Sequence, residues 1–126
     1  LMAEADMLVL PSRFDGWGAV ANEALMAGTP VVVSGACGAS DLVRSEEAGR
    51  VVAAGSVGSL SAGLAEMIAK GRVGIEERRE LRRWARGAIS PAAGAGYLMR
   101  ILSGGEGREA RPSPPWHPPA GRQPGT

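Results

Sequence analysis

Two short, unbroken apolar runs dictate most of what this chain can become: Met7-Leu8-Val9-Leu10 and Val31-Val32-Val33. Neither alternates apolar with polar residues, so neither suits a strand with one wet face. Runs of this kind fit strands buried on both sides, as in parallel sheets. Pro11 closes the first run. Gly28-Thr29-Pro30 precedes the second, where Gly ends a helix and Pro prevents its continuation. Between them, Ala19 to Ala27 is rich in good helix formers and holds no breaker. Strand, turn, helix and strand in that order commit the segment to a parallel α/β arrangement.

The rest of the chain extends this pattern. Arg50 to Ala53 predicts a third, weaker strand, and Ser40 is placed to cap a short helix over 41–47, stopped by Gly49. Val57, Leu60, Leu64, Met67 and Ile68 recur at helical spacing over 57–70, and Gly71 ends that element. Leu81, Trp84, Ala85 and Ala88 form another apolar stripe inside "EERRELRRWAR". There the interleaved Glu76, Glu77 and Glu80 make the arginines a solvated helix face and not an RNA contact. Ser90-Pro91 is a hydroxyl cap followed by Pro at the first helical position, and Tyr97, Leu98 and Ile101 are the expected buried side of the last helix, weakened by Gly94 and Gly96.

Three parallel strands leave long unpaired edges and little core. The expected fold is therefore the second half of a doubly wound, Rossmann-like α/β domain, with about three parallel strands and helices on both faces. It is expected to occupy 1–103. The chain opens at Leu1, almost inside a strand, and is expected to continue a longer one. From Gly104 the composition shifts, and "PSPPWHPPAGRQPGT" holds six of the nine prolines. Residues 104–126 read as a disordered tail, with a Pro-rich ligand for a recognition module as the alternative. His117, the single histidine, falls there and is assigned no role.

Composition narrows the partners. With 14 basic and 13 acidic residues, the net charge of +1 gives no global pull toward nucleic acid or an anionic membrane, so any polyanion must be recognised locally. The single cysteine, Cys37, excludes an internal disulfide and fits a reducing compartment; it reads as a small apolar residue just past a strand. No segment approaches the run of about 20 apolar residues of a spanning helix, and the opening residues do not resemble a signal peptide. The expected location is the cytoplasm.

The turn Asp15-Gly16-Trp17-Gly18-Ala19-Val20 carries the functional question. Gly16, Gly18 and Ala21 fit G-x-G-x-x-A between a strand and a helix, the context of a dinucleotide site. Two features argue against that ligand. Pro11-Ser12-Arg13-Phe14-Asp15 separates the strand from the first Gly, and the second strand runs into Ser34-Gly35 instead of an acidic residue for the ribose. A phosphate fits the same residues differently. Glycines allow close backbone approach, and the helix starting near Gly18 presents free N–H groups and a positive dipole end of about half a charge. Asp15 stands before the turn, and Glu23 lies five residues into the helix, about 7.5 Å along its axis. Two carboxylates flanking an amide-lined phosphate site suit a ligand with hydroxyls on both sides of its phosphates, as in a nucleoside diphosphate sugar.

"RFDGWGAVANEALMAGTPVVVS" resembles the C-terminal half of retaining GT-B glycosyltransferases of the group 1 family. Pro11-Ser12, Asp15-Gly16-Trp17-Gly18, Glu23-Ala24, Gly28 and Pro30-Val31-Val32 fall in that pattern, with Glu23 eight positions after the first acid. "SGACGASDLV" is similar to the Gly-rich loop after the family's next strand, and "WARGAISPAAGAGYLMRIL" to its closing helices. The resemblance covers about Leu1 to Leu102. It implies a hexosyltransferase-type enzyme that moves a sugar from a nucleotide-sugar donor to a glycan, lipid or small-molecule acceptor, with retention and without a bound metal or other cofactor. It also implies that the leaving phosphate itself takes the acceptor's proton. By the same resemblance, Asp15 and Glu23 are the catalytic-site carboxylates. Asp15 would hold donor-sugar hydroxyls, Glu23 the ribose, and Gly16, Trp17, Gly18, Ala19 and Val20 would face the sugar and diphosphate. Most members have Glu where Asp15 stands, and Gly35 replaces a more usual Asp or Asn. The family's phosphate-binding Arg and Lys, and its acceptor-binding N-terminal domain, lie upstream of this segment. The segment alone is therefore expected to be inactive.

Rival assignments stay open at this stage. Asp15 as a mere turn former, Glu23 as a solvent-facing helix residue and Trp17 as a packing aromatic all fit the sequence. So do a non-catalytic module that binds nucleotide sugar or docks on a partner, and a GT-B sugar-nucleotide epimerase.

Overall fold

The computed structural model describes residues 1–103 and 112–117. The chain divides into two compact units, Leu1–Ala85 and Arg86–Thr126.

The first unit is built on one parallel sheet of β1 (Leu8–Leu10), β2 (Val31–Ser34) and β3 (Gly49–Val52), in the order β1-β2-β3. Val31, Val32, Val33 and Ser34 are buried one after another, so β2 is covered on both faces. That is the arrangement expected of an unbroken apolar run, but β1, at the edge of the sheet, departs from it and leaves Val9 exposed. The register sets Val9, Val32 and Arg50 abreast. The two-residue period of a strand adds Met7, Ser34 and Val52 to the same face. Helix α2 (Val57–Lys70) covers it: Met67 packs with Val32 and Val52, flanked by Met7, Leu60 and Leu64. A Cβ on Gly63 of α2 would lie 2.7 Å from Val52 Cγ1, a measure of how closely this helix sits on the sheet. Arg50 fastens β3 to α2 through Glu66, Nε donating over 2.9 Å. Helix α1 (Ala19–Met26) connects β1 to β2, touches both strands and buries Ala21, Ala24 and Leu25.

Between β2 and β3 the backbone departs from the expected Ser40-capped helix. A 3-10 turn over Gly38–Leu42 forms instead, starting after Cys37. The Ala39 N–H is drawn to Trp17 O at 2.6 Å, and Ala39 and Leu42 are fully buried, which fixes the turn earlier in the chain. Past it, the Ser45 hydroxyl accepts the Ala48 N–H (3.3 Å), a local bond that competes with helix continuation. The Glu47 backbone N–H and the Ser45 hydroxyl also hold the Glu47 carboxyl below the usual carboxylate range.

Helix α3 (Ile75–Ile89) buries Leu81, Ala85 and Ala88 as its stripe predicts, with Trp84 half-buried. Its arginines are not all solvated, however. Arg78 donates to Ala3 O (3.1 Å) and Ala5 O (2.7 Å), and Arg82 to Ala27 O (2.8 Å) at the end of α1. These guanidiniums satisfy backbone carbonyls that no helical N–H reaches.

In the second unit, α4 (Pro91–Ser103) starts at Ser90, whose hydroxyl accepts the Ala93 N–H (3.2 Å). Its expected buried side is absent: Leu98 and Ile101 are exposed, and Tyr97 is half-buried with its ring edge-on to Trp116. Leu98, Met99, Ile101 and Leu102 form an exposed apolar face of α4. Residues 112–117 form a turn closed by the His117 N–H on Pro114 O (2.9 Å). The rest of the expected tail, 104–111 and 118–126, lies outside the described residues. Among the described residues no helix is long and apolar enough to cross a membrane.

Candidate functional site at the end of strand β1

The carboxyl end of β1 leads through Pro11 to Phe14 into the turn that starts α1. The loop after β2 holds this turn in place. Asp15 pairs with Cys37 as an isolated parallel bridge, its N–H donating to Ala36 O (3.2 Å) and its carbonyl accepting from Gly38 N–H (3.4 Å). The Trp17 carbonyl accepts from Ala39 N–H (2.6 Å) and from the Cys37 thiol (2.9 Å). A Cβ on Gly38 would lie 2.6 Å from Gly16 O and 3.0 Å from Trp17 Cε3, so the two loops meet at contact distance. Buried Cys37 is thus a small packing residue with a hydrogen bond, tying one loop to the other.

The two glycines of the turn divide its labour. Gly18 is buried at φ 86°, ψ 57°, left-handed backbone that favours glycine. A Cβ there would overlap the Cys37 sulfur and stand 2.9 Å from Leu10 Cδ2. Its glycine is therefore required by the fold. Gly16 is exposed, and a Cβ on it would meet nothing within 4 Å. Of the two positions expected to admit a ligand, Gly16 is the one with open space beside it.

Asp15 does form the turn, since its Oδ1 accepts the Trp17 N–H (3.1 Å). Its second carboxylate oxygen has no hydrogen-bond partner among the described residues. Trp17 lies against the first turn of α1, Nε1 donating to Asn22 Oδ1 (3.0 Å), yet keeps 36% of its surface exposed. Gly18 is the cap residue of α1 and no side chain caps this helix start. Ala19 is exposed and Val20 half-buried. Glu23, one turn beyond Ala19, shares its exposed face, opposite buried Ala21, Ala24 and Leu25. The Glu23 carboxylate makes no hydrogen bond or ion pair with the described residues.

The arrangement is a fixed turn, an uncapped helix start with the positive end of its dipole, and two carboxylates with oxygens to spare. Neutral hydroxyls can bond to the carboxylates while phosphate oxygens take the amides. Sequence reasoning missed how far Cys37, Gly38 and Ala39 build this turn. The available signal was Gly38 just past β2, a residue type that permits a close backbone approach.

The model of the family "Glycosyl transferases group 1" matches residues 1–88. A stretch of 46 residues, 36% of this chain, is 46% identical to an uncharacterized glycosyltransferase of Methanocaldococcus jannaschii. That match spans only 12% of the relative's length. With its parallel sheet, its glycine turn and a family match over most of its length, the chain belongs to the group 1 glycosyltransferases.

Proposed function

We propose that this chain forms part of the nucleotide-sugar site of a retaining GT-B glycosyltransferase of hexosyltransferase type. The observation that carries the reading is the uncapped start of α1 with open space at Gly16 and the unpaired Glu23 carboxylate one turn below Ala19. In this reading the donor's diphosphate lies over the amides of Gly16, Gly18, Ala19 and Val20, the Trp17 amide being bonded to Asp15 Oδ1; Asp15 accepts hydroxyls of the sugar, and Glu23 accepts those of the ribose. Trp17 offers its exposed edge to the sugar. Cleavage of the bond between sugar and phosphate leaves charge on the phosphate, where the helix dipole stabilises it. That same phosphate takes the proton of the incoming acceptor hydroxyl, so the chemistry needs neither a histidine nor a metal. In this reading the acceptor site, and the cations for the diphosphate, are supplied by residues outside this segment.

Glu23→Ala tests this in an intact enzyme that carries this segment. Hydrogen bonds to a charged group contribute about 1.5–3 kcal/mol, so donor affinity should fall roughly tenfold to a hundredfold by calorimetry. The side chain is exposed and unpaired, so the unfolding midpoint should not move. Unchanged donor affinity would sink the ribose assignment.

A further inference from the structure

On the α2 side of the sheet, at the carboxyl ends of its strands, lies a cavity of about 170 Å³. Arg13 enters it from the segment after β1, Ser34 from the end of β2, Ala53 from beyond β3, and Ser56, Val57 and Leu60 from the start of α2. The volume falls below the roughly 300 Å³ of a site for a whole small molecule, so it suits one functional group of a ligand.

Every polar side chain in the lining is a donor in waiting. Among the described residues, Arg13 is the only charged group in the lining, and no acidic residue joins it. Among the described residues of the first unit, Arg44, Arg50, Arg72, Arg78, Arg79 and Arg82 each bond to a carboxylate or a carbonyl. Arg13 and, on α3, Arg83 bond to neither, and of these two Arg13 alone lines the cavity. Ser34 is 1% exposed, and its hydroxyl oxygen already accepts the Ala36 N–H (3.1 Å), which leaves its O–H to be donated. The Ser56 oxygen likewise accepts the Ser59 N–H (3.1 Å). A buried hydroxyl with an unspent donor costs stability unless something accepts from it. The positive end of the 14-residue α2 adds to the same field.

We propose that this cavity binds one oxyanion group, a phosphate or a carboxylate, held by the Arg13 guanidinium and the Ser34 hydroxyl. The site is separate from the Asp15 to Glu23 turn and does not depend on the donor reading. Arg13 is exposed, so its removal should leave the fold intact.

The test is a titration of the full chain, followed by amide and arginine Nε–H resonances, with inorganic phosphate and separately with acetate. Phosphate or acetate should shift Arg13 Nε–H together with the amides of Ala53, Ser56 and Val57. Arg13→Gln should weaken binding by about tenfold to a hundredfold, as loss of a charged hydrogen-bond donor does. Arg83→Gln, at an exposed arginine of α3, should leave it unchanged. Shifts absent with both anions, or equal in Arg13→Gln and the parent, overturn the proposal. A uridine diphosphate titration assigns the source. If the nucleotide shifts Gly16 to Val20 while phosphate stays at Arg13, the anion belongs to a second molecule; if it displaces phosphate, the anion is the donor's own. No nucleotide shifts at Gly16 to Val20, with phosphate still bound at Arg13, would count against the donor site alone.

Discussion

The chain makes the passage from strand to helix at β1–α1 and at β3–α2, and solves it in opposite ways. At the β3–α2 junction the bonds are local. Ser56 caps α2 by accepting the Ser59 N–H, while Ser59 Oγ accepts the Ala53 N–H (2.9 Å), so the junction holds itself. At β1–α1 no side chain caps the helix, and the turn is held from outside by Ala36, Cys37, Gly38 and Ala39. A self-capped start spends a first-turn amide on its own serine. A start braced from behind leaves its first-turn amides without a side-chain cap and still has a fixed shape. The second design draws on tertiary contacts, since the atoms that hold the turn come from the loop after β2.

The largest effect should come from breaking the brace. Gly18→Val puts a branched side chain into left-handed backbone, at about 1–2 kcal/mol, and against Cys37 and Leu10, at about 1–3 kcal/mol more for overpacking. Urea unfolding should show a loss of about 3 kcal/mol or more, or no folded protein at all. A loss under about 1 kcal/mol would mean that the loop after β2 gives way easily, and the contrast between the junctions would collapse. Ser56→Ala should cost less, about 1 kcal/mol for an N-cap, read as a lower urea midpoint at unchanged slope. A similar loss from both substitutions would equally erase the distinction.

What was legible in the sequence follows the range of the forces involved. Short-range signals read correctly: the apolar run of β2, the 57–70 periodicity, and Ser90 as a cap all appear where the residues place them. Long-range ones did not. Ser40 looked like a cap because the sequence does not show the Trp17 carbonyl that draws in the Ala39 N–H from 22 positions away. Arg78 and Arg82 looked solvated because the carbonyls of Ala3, Ala5 and Ala27 are distant in the chain. For the site, the residue types and spacing of Asp15, Gly16, Gly18 and Glu23 were readable. Their different burdens were not, because a glycine required by packing and one beside open space are the same letter.

Gly16→Ala separates those burdens with the smallest structural effect of the series. An added Cβ meets no atom of the chain within 4 Å, and Gly16 does not sit in left-handed backbone. Stability should therefore stay within about 0.5 kcal/mol of the parent, the usual range for surface changes. It could rise slightly, because alanine restricts the unfolded chain more than glycine does. The methyl group nevertheless stands in the space assigned to the donor, beside amides that need close approach by a phosphate. In an intact enzyme that carries this segment, nucleotide-sugar affinity should then drop severalfold or more while the urea midpoint holds. Reduced affinity with parental stability would assign the open side of the braced turn to the ligand. Parental affinity would place the ligand elsewhere, and the brace would then serve the fold alone.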